Sequence, residues 1–348
     1  MATITKRGKS YRVQISNYKN GVNNRISKTF KTLTEAKRWA MQNEIAKGNG
    51  VDLASRNESF AIFFENWVHL VKKNDVRPAT FINYTRTIPI VKQLFGDTKL
   101  SDLNDIVVQM KIDEYGKTHS RKTTTEVLLK IRTSLRYAYG RGLLSSDFAG
   151  LVKTRGKELD KRNKALSITD FKKLRSYLLN NPKNDFHILV LLALETGARR
   201  GELLGIKKED IYEYGIRIKR SISPHSDDIL LKTKHSKRDV SINKEVYDLL
   251  VTVKEKSNGY IFGRDGFKQS EILAKMLDEL EIERTTFHGL RDTHASYLFS
   301  NDNLRLDYIS KRLGHSSILT TQNYYLELMP EKKHQQDADA LDLLNSLK

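Results

Sequence analysis

The sequence predicts a multidomain α+β chain in three parts. These are a small three-stranded sheet plus helix at the N-terminus, an all-α helical domain, and a mainly α domain with a small antiparallel sheet. Three observations predict it. Apolar residues alternate with polar ones around Tyr11, Val13 and Ile15, the period of a half-buried strand. Phe60, Phe63, Phe64, Trp67 and Val71 recur at i, i+3, i+4 and i+7, the period of a helix, and open a stretch that reads as all-helical. Between residues 153 and 164 there is no apolar period at all, and this basic stretch reads as a linker. A length of 348 residues suits two or three domains.

Residues 1–56 form the first part. Arg12, Gln14 and Ser16 alternate with the apolar positions of the strand, Asn20-Gly21 is a hairpin turn, and Arg25 to Phe30 is the returning strand. Thr34 caps a helix reaching about Lys47, with Ala36, Trp39, Ala40 and Ile45 inward and Gly48 as its stop. One helix covers one sheet face only. The other face presents Arg12 and Gln14, a surface that fits a DNA major groove.

Residues 57–152 form the second part. Phe60, Phe63, Phe64, Trp67 and Val71 share one face of a first helix. Pro78 opens a second carrying Phe81, Tyr84 and Ile88, and Ser101 caps a third. A fourth starts near Lys122, with Val127, Leu128, Ile131, Leu135 and Ala138 inward, and ends near Gly140 or Gly142. Its other face carries Arg121, Lys122, Lys130, Arg132 and Arg136, suited to a DNA backbone.

Residues 165–348 form the third part. Thr169 caps a helix to about Leu179, and His187 to Leu194 is an apolar helix. The run Thr196-Gly197-Ala198-Arg199-Arg200-Gly201-Glu202-Leu203-Leu204 breaks that helix and starts another. Tyr214 to Arg220, Asp228 to Lys232 and Lys237 to Ile242 alternate like strands, with Lys232-Thr233-Lys234-His235 at a hairpin tip. Helices follow over 244–256, 269–280, 288–300 and 305–313. A short apolar helix with Ala340, Leu341, Leu343, Leu344 and Leu347 closes the chain, and docks on its own domain or on a neighbouring subunit.

The net charge of +19 points to a polyanion, with nucleic acid the default partner. Residues 1–56 hold 12 Lys/Arg against 3 Asp/Glu, so the excess is concentrated there. No apolar run approaches the ~20 residues of a membrane helix, and the N-terminal residues show no signal-peptide pattern. The chain has no cysteine, which excludes disulfides, thiolate catalysis and cysteine zinc sites and fits a reducing compartment such as the cytoplasm.

The chemistry gathers in Phe287-His288-Gly289-Leu290-Arg291, Leu313-Gly314-His315 and Tyr324-Tyr325. His and Arg complement the equatorial oxygens of a five-coordinate phosphorus, and a tyrosine oxygen can attack it. No acidic cluster accompanies them, which argues against a two-metal nuclease holding its ions with carboxylates.

Taken in order, the 196–204 run, Lys232 in a hairpin, the His288–Arg291 and Leu313–His315 motifs and a following tyrosine resemble the tyrosine recombinase (phage integrase) family. The three-part layout is similar to the integrases of temperate phages and conjugative transposons, so the resemblance covers nearly the whole chain. It implies an arm-site-binding domain at 1–56, a core-site-binding domain at 57–152 and a catalytic domain at 165–348. It makes Arg199 and Arg291 the clamp on the scissile phosphate and His288 and His315 its hydrogen-bonding partners. Lys232 becomes the general acid, with Lys234 on the same face of a strand as the alternative. The string Thr320-Thr321-Gln322-Asn323-Tyr324-Tyr325 fits the pattern Thr-Thr-x-Asn-x-Tyr and favours Tyr325 as nucleophile, with Tyr324 the alternative. Ser241 stands where relatives often carry proline, and Glu327 where His is frequent.

The resemblance further implies metal- and ATP-independent strand transfer with no cofactor, and a homotetramer on double-stranded DNA attachment sites. An excisionase and a host DNA-bending protein are the implied helpers, on the nucleoid of a bacterial host. A type IB topoisomerase and a DNA-binding regulator with idle catalytic residues are the competing readings. A metal hydrolase on His288, His294 and His315 is disfavoured, since a spacing of six does not put His288 and His294 on one helical face.

Overall fold

The computed structural model describes residues 2–19, 22–48, 57–159, 165–222, 236–262, 266–301, 303–328, 341–342 and 344–346. The chain forms two compact units, Met1–Asp160 and Lys161–Lys348.

The first unit opens with a three-stranded antiparallel sheet in the order β1 (Ala2–Arg7), β2 (Ser10–Lys19), β3 (Val22–Phe30). Lys19 pairs with Val22, so a two-residue connection joins them. The Asn20-Gly21 turn expected there lies outside the described residues. Val13, Ile15 and Ile26 face Ala36 and Ala40 of helix α1 (Leu33–Gly48). Thr32, not Thr34, caps α1: its Oγ1 accepts from Glu35 N at 3.3 Å while Thr32 N donates to Glu35 at 3.3 Å. Ile45 is exposed rather than inward, and Asn43 is buried in that part of the helix.

The rest of this unit is helical. Ser59 caps α2 (Phe60–Trp67) by accepting from Ile62 N. The chain then widens into a π-helical turn over Val68–Lys72. Arg77 is extended, as the residue before a proline must be, and Pro78 opens α3 (Pro78–Thr85). Ile88 belongs not to α3 but to α4 (Ile88–Phe95). Asn104, not Ser101, caps α5 (Asp105–Thr118), with Val107 N donating to its side chain at 2.8 Å. Ser120 caps α6 (Arg121–Gly140), whose Val127, Leu128, Ile131, Leu135 and Ala138 all join the core with Phe60, Phe64 and Trp67. Each such large side chain contributes roughly 1.5–3 kcal/mol by leaving water.

Residues 153–158 are tied to this unit. Lys153 N donates to Gln109 at 2.7 Å, Arg121 N donates to the Lys157 carbonyl at 2.8 Å, and Glu158 pairs with Arg121. Residues 160–164 of the expected linker lie outside the described residues.

The second unit packs α7 (Ile168–Asn180), α8 (Asp185–Thr196) and the short α9 (Arg200–Leu204) against a sheet of β4 (Ile211–Tyr212), β5 (Gly215–Ile218) and β6 (Arg238–Ser241). Helices α10 (Lys244–Thr252), α11 (Gly266–Glu279), α12 (Phe287–Phe299), α13 (Leu306–Leu313) and α14 (Ile318–Leu328) follow. Ser167 rather than Thr169 caps α7, accepting from Asp170 N at 3.0 Å. Helix α8 is buried on every side because it runs through the middle of this core. Beyond α14, Leu341 and Leu344 of the expected closing helix are exposed, and the remaining apolar positions of that segment lie outside the described residues.

Candidate active site

The site begins where α8 stops. Thr196 Oγ1 donates to the Leu192 carbonyl at 2.6 Å and accepts from Ala198 N at 3.2 Å. Gly197 ends the helix in the left-handed region at φ 63°. A Cβ there would lie 2.5 Å from the His294 ring, so only glycine fits both the backbone and the space. This sharp exit places Arg199 at the start of α9. Arg199 N and Nη1 donate to the two oxygens of Glu202 at 3.0 and 2.8 Å. Glu202 is buried and also accepts from Arg238 Nη2 at 2.9 Å. Two arginines thus share one buried carboxylate, and they hold it below the usual carboxylate range against the opposing effect of its burial.

Arg291 enters from α12, whose first turn is capped by Thr286. It is 2% exposed. Its Nη1 donates to the Gly197 carbonyl at 2.7 Å and its Nη2 to the Leu313 carbonyl at 2.8 Å. One guanidinium therefore ties together the ends of α8 and α13. Burial and then repulsion from Arg199 bring Arg291 down to about 9, still charged at neutral pH. Gly314, at φ 68°, turns the chain out of α13 and delivers His315. His315 Nδ1 lies 2.8 Å from the buried Thr321 hydroxyl of α14. Burial first, then Arg291, Arg199 and Arg238, push His315 down to about 4, so its imidazole is neutral at neutral pH.

His294 is buried in the same wall. Its Nδ1 faces the Leu194 carbonyl at 2.8 Å, and Arg312 Nε donates to its Nε2 at 3.2 Å. Both ring nitrogens are occupied, which removes it as a metal ligand, and burial followed by Arg312 holds it at about 3. These histidines set an acid limit on stability. Each is neutral when folded and charges near 6.5 when unfolded, so its stabilisation is complete above 6.5 and lost as pH falls toward about 4. We expect the melting temperature to decline steadily from pH 6.5 to 4.5, before the carboxylates titrate. A flat calorimetric profile across that window would contradict the buried neutral imidazoles.

The structure brings Arg199, Arg291 and His315 together around the ends of α8 and α13. His288, one turn before Asp292 on α12, is exposed, with Nε2 3.8 Å from Asp292 Oδ1. Lys232, Lys234 and the hairpin tip lie outside the described residues. Tyr324 and Tyr325 are backbone positions on α14, and their side chains lie outside the described part. Glu202 and Arg238 were given no role by the sequence. The spacing of Arg199 to Glu202, three apart across a helix start, was a usable signal; Arg238 had none beyond its strand.

On the first unit, Arg12 and Gln14 are half-buried on the sheet face opposite α1, and Arg12 donates to Ser27 at 3.3 Å. Arg121, Lys122 and Arg136 are exposed on α6. Lys130 is half-buried, and burial lowers its pKa. Arg132 departs from the expected free basic face, because its guanidinium is drawn onto the Val152 carbonyl of the returning chain.

Residues 179–331 match the model of the phage integrase family, and residues 59–115 match that of the phage integrase N-terminal SAM-like domain. The chain is 26% identical over 392 aligned positions to a XerC-like tyrosine recombinase of Caldanaerobacter subterraneus subsp. tengcongensis, covering 98% of this chain and 97% of that protein. It is 29% identical over 198 residues to the ICEBs1 integrase of Bacillus subtilis, across 50% of this chain and 52% of the other. In fold it resembles the Tn1549 transposon integrase in complex with a circular-intermediate DNA, with a TM-score of 0.62 and 17% identity over 80% of this chain and 99% of that one. It also resembles the lambda integrase dimer bound to a core site, with a TM-score of 0.60 and 15% identity over 92% and 94% of the two chains. With its catalytic-domain and N-terminal-domain family models both matched and a tyrosine recombinase aligned along nearly its whole length, this chain belongs to the tyrosine recombinase, or phage integrase, family.

Proposed function

We propose that the chain is a site-specific DNA recombinase that integrates and excises a phage or other mobile genome through a 3′-phosphotyrosyl intermediate. The observation that carries this is the joining of Arg199, Arg291 and His315 by the Gly197 and Leu313 carbonyls. In this reading Arg199 and Arg291 hold the scissile phosphate in a geometry that a lysine cannot copy. If the Thr321 hydroxyl donates to His315 Nδ1, Nε2 carries the proton and donates to a phosphate oxygen, and His288 serves the opposite edge. Tyr325 loses its proton and attacks phosphorus, the bond to the 5′ oxygen breaks, and Lys232 protonates that oxygen. Attack by a 5′-hydroxyl reverses the step and reseals DNA, so no ATP is consumed. The arginines supply the positive charge, so no metal is needed.

The sheet of residues 1–30, with Arg12 and Gln14, is the arm-site reader in this reading. Arg121, Lys122 and Arg136 of α6 line the core-site backbone, with Lys130 at their edge. Four protomers act on two duplexes, because each carries one nucleophile and four strands are cut. A lambda integrase tetramer on a Holliday junction shares the fold, with a TM-score of 0.59. The reaction takes place in the bacterial cytoplasm on the nucleoid, where an excisionase and a host DNA-bending protein set its direction.

The test is a covalent adduct. A core-site duplex selected by the protein from a random-sequence pool is nicked, end-labelled and incubated with the protein in EDTA, then resolved on a denaturing gel. A labelled band at the mass of protein plus DNA is expected. No adduct on a duplex that the protein binds would sink the recombinase reading and leave the idle-regulator one.

A further inference from the structure

The wall of the site holds, beside the half-buried Arg199 and the buried Arg291, a third arginine with no part in the chemistry above. Arg238 opens β6, and its side chain is 6% exposed. It makes three bonds in three directions: Nη2 to Glu202 at 2.9 Å, Nε to the Arg312 carbonyl at 2.7 Å, and Nη1 to the Ser236 carbonyl at 3.1 Å. It also packs under the last turn of the site, since a Cβ on Gly314 would lie 2.7 Å from its Nη1. The Arg312 carbonyl is two residues before Gly314, and Glu202 is the carboxylate that receives Arg199.

Burying a guanidinium costs several kcal/mol unless its partners are well placed, so this position needs a physical reason. Charge supplies one. Glu202 with Arg199 alone would be a neutral pair, and a neutral pair offers a phosphate little. With Arg238 bound to the same carboxylate, the Glu202–Arg238 pair is neutral and Arg199 keeps its full charge for a ligand. Geometry supplies the other. Arg238 links α9, which carries Arg199, to the end of α13, which delivers His315, independently of the link made by Arg291.

We propose that Arg238 is a positioning residue for strand cleavage: through Glu202 and the Arg312 carbonyl it fixes Arg199 and the Gly314–His315 turn at the spacing that a scissile phosphate requires. The inference rests on the recombinase reading above. Arg238 does not touch DNA in this account, so its removal acts on the chemical step and spares binding.

The experiment compares wild type, Arg238→Lys and the double variant Arg238→Met with Glu202→Gln, which removes the pair without stranding a buried charge. Each is measured for melting temperature, for affinity to the selected core-site duplex, and for the single-turnover rate of adduct formation. Both variants, where folded, are expected to bind within about threefold of wild type, and the double variant to cleave about 10²-fold more slowly, the size of effect that a roughly 1 Å misplacement produces. Arg238→Lys keeps the charge but not the three-way fork, and is expected to fall between. Cleavage within threefold of wild type in either folded variant overturns the proposal. So does a loss of rate matched by an equal loss of binding or of folded protein, which marks a purely structural role. Wild type separates the two claims: absence of its adduct overturns the recombinase reading and this inference with it, whereas its presence beside unimpaired variants overturns this inference alone.

Discussion

Arg291→Lys is expected to lower single-turnover cleavage by about 10³-fold or more while leaving the protein folded. The size follows from what this side chain does twice over. Its guanidinium donates at 2.7 Å to the Gly197 carbonyl and at 2.8 Å to the Leu313 carbonyl, and so sets the separation of the turns that carry Arg199 and His315. A lysine ammonium is one point on a flexible stem and cannot reach both carbonyls in a fixed plane. One buried carbonyl then loses its donor, at about 1–3 kcal/mol of stability. The cost to the reaction is larger. Removing one preorganised donor from an oxyanion site takes about 10²–10³ from the rate, and here the same change also loosens the two neighbouring groups. Charge is retained in the variant, so duplex affinity should change by less than about tenfold, and the loss should sit in the chemical step. Melting, binding and adduct-rate measurements on one preparation decide it. A cleavage rate within tenfold of wild type would mean that the guanidinium fork is not what organises the cradle.

Much of this site was legible because the motifs sit at chain reversals, and reversals need particular residues. Gly197 and Gly314 occupy left-handed positions that end α8 and α13, and each is next to or near a side chain of the proposed site. The helices were legible where an apolar stripe faced a core, as with Val127 to Ala138 on α6. Helix starts were misplaced by two or three residues at Thr32, Asn104 and Ser167. A cap is decided by which side chain meets a free N–H, and several Ser, Thr and Asn residues compete within one turn at each place. Helix α14 escaped notice because Thr320, Thr321, Gln322 and Asn323 give it no apolar period. Arg132 looked like a free cation because a reading along one helix cannot see Val152 folding back over it. Arg238 and Glu202 were invisible as a pair for the same reason: 36 residues separate them, and only the packing of β6 beside α9 joins them.

The nucleophile assignment turns on the register of α14. Successive residues of an α-helix point about 100° apart, so Tyr324 and Tyr325 cannot serve one site equally. Thr321 fixes the inward row of this helix, since it is fully buried and its hydroxyl meets His315 Nδ1 at 2.8 Å. Residue 325 stands one turn beyond Thr321, four positions on, in the row that runs along the helix past the histidine. Residue 324, three positions on from Thr321, flanks that row on its other side, four positions on from the exposed Thr320. Tyr325→Phe is therefore expected to abolish the covalent adduct, a loss of at least about 10⁴-fold, since no neighbouring group can replace an absent nucleophile. Tyr324→Phe leaves the expected nucleophile in place and should change the rate by less than about tenfold. Both variants keep the ring, so both should fold and bind duplex as wild type does. The nicked duplex in EDTA reads this directly, and mass spectrometry of the protease-digested adduct identifies the peptide carrying the nucleotide. An adduct that survives Tyr325→Phe and disappears with Tyr324→Phe would keep the mechanism and overturn the assignment of Tyr325.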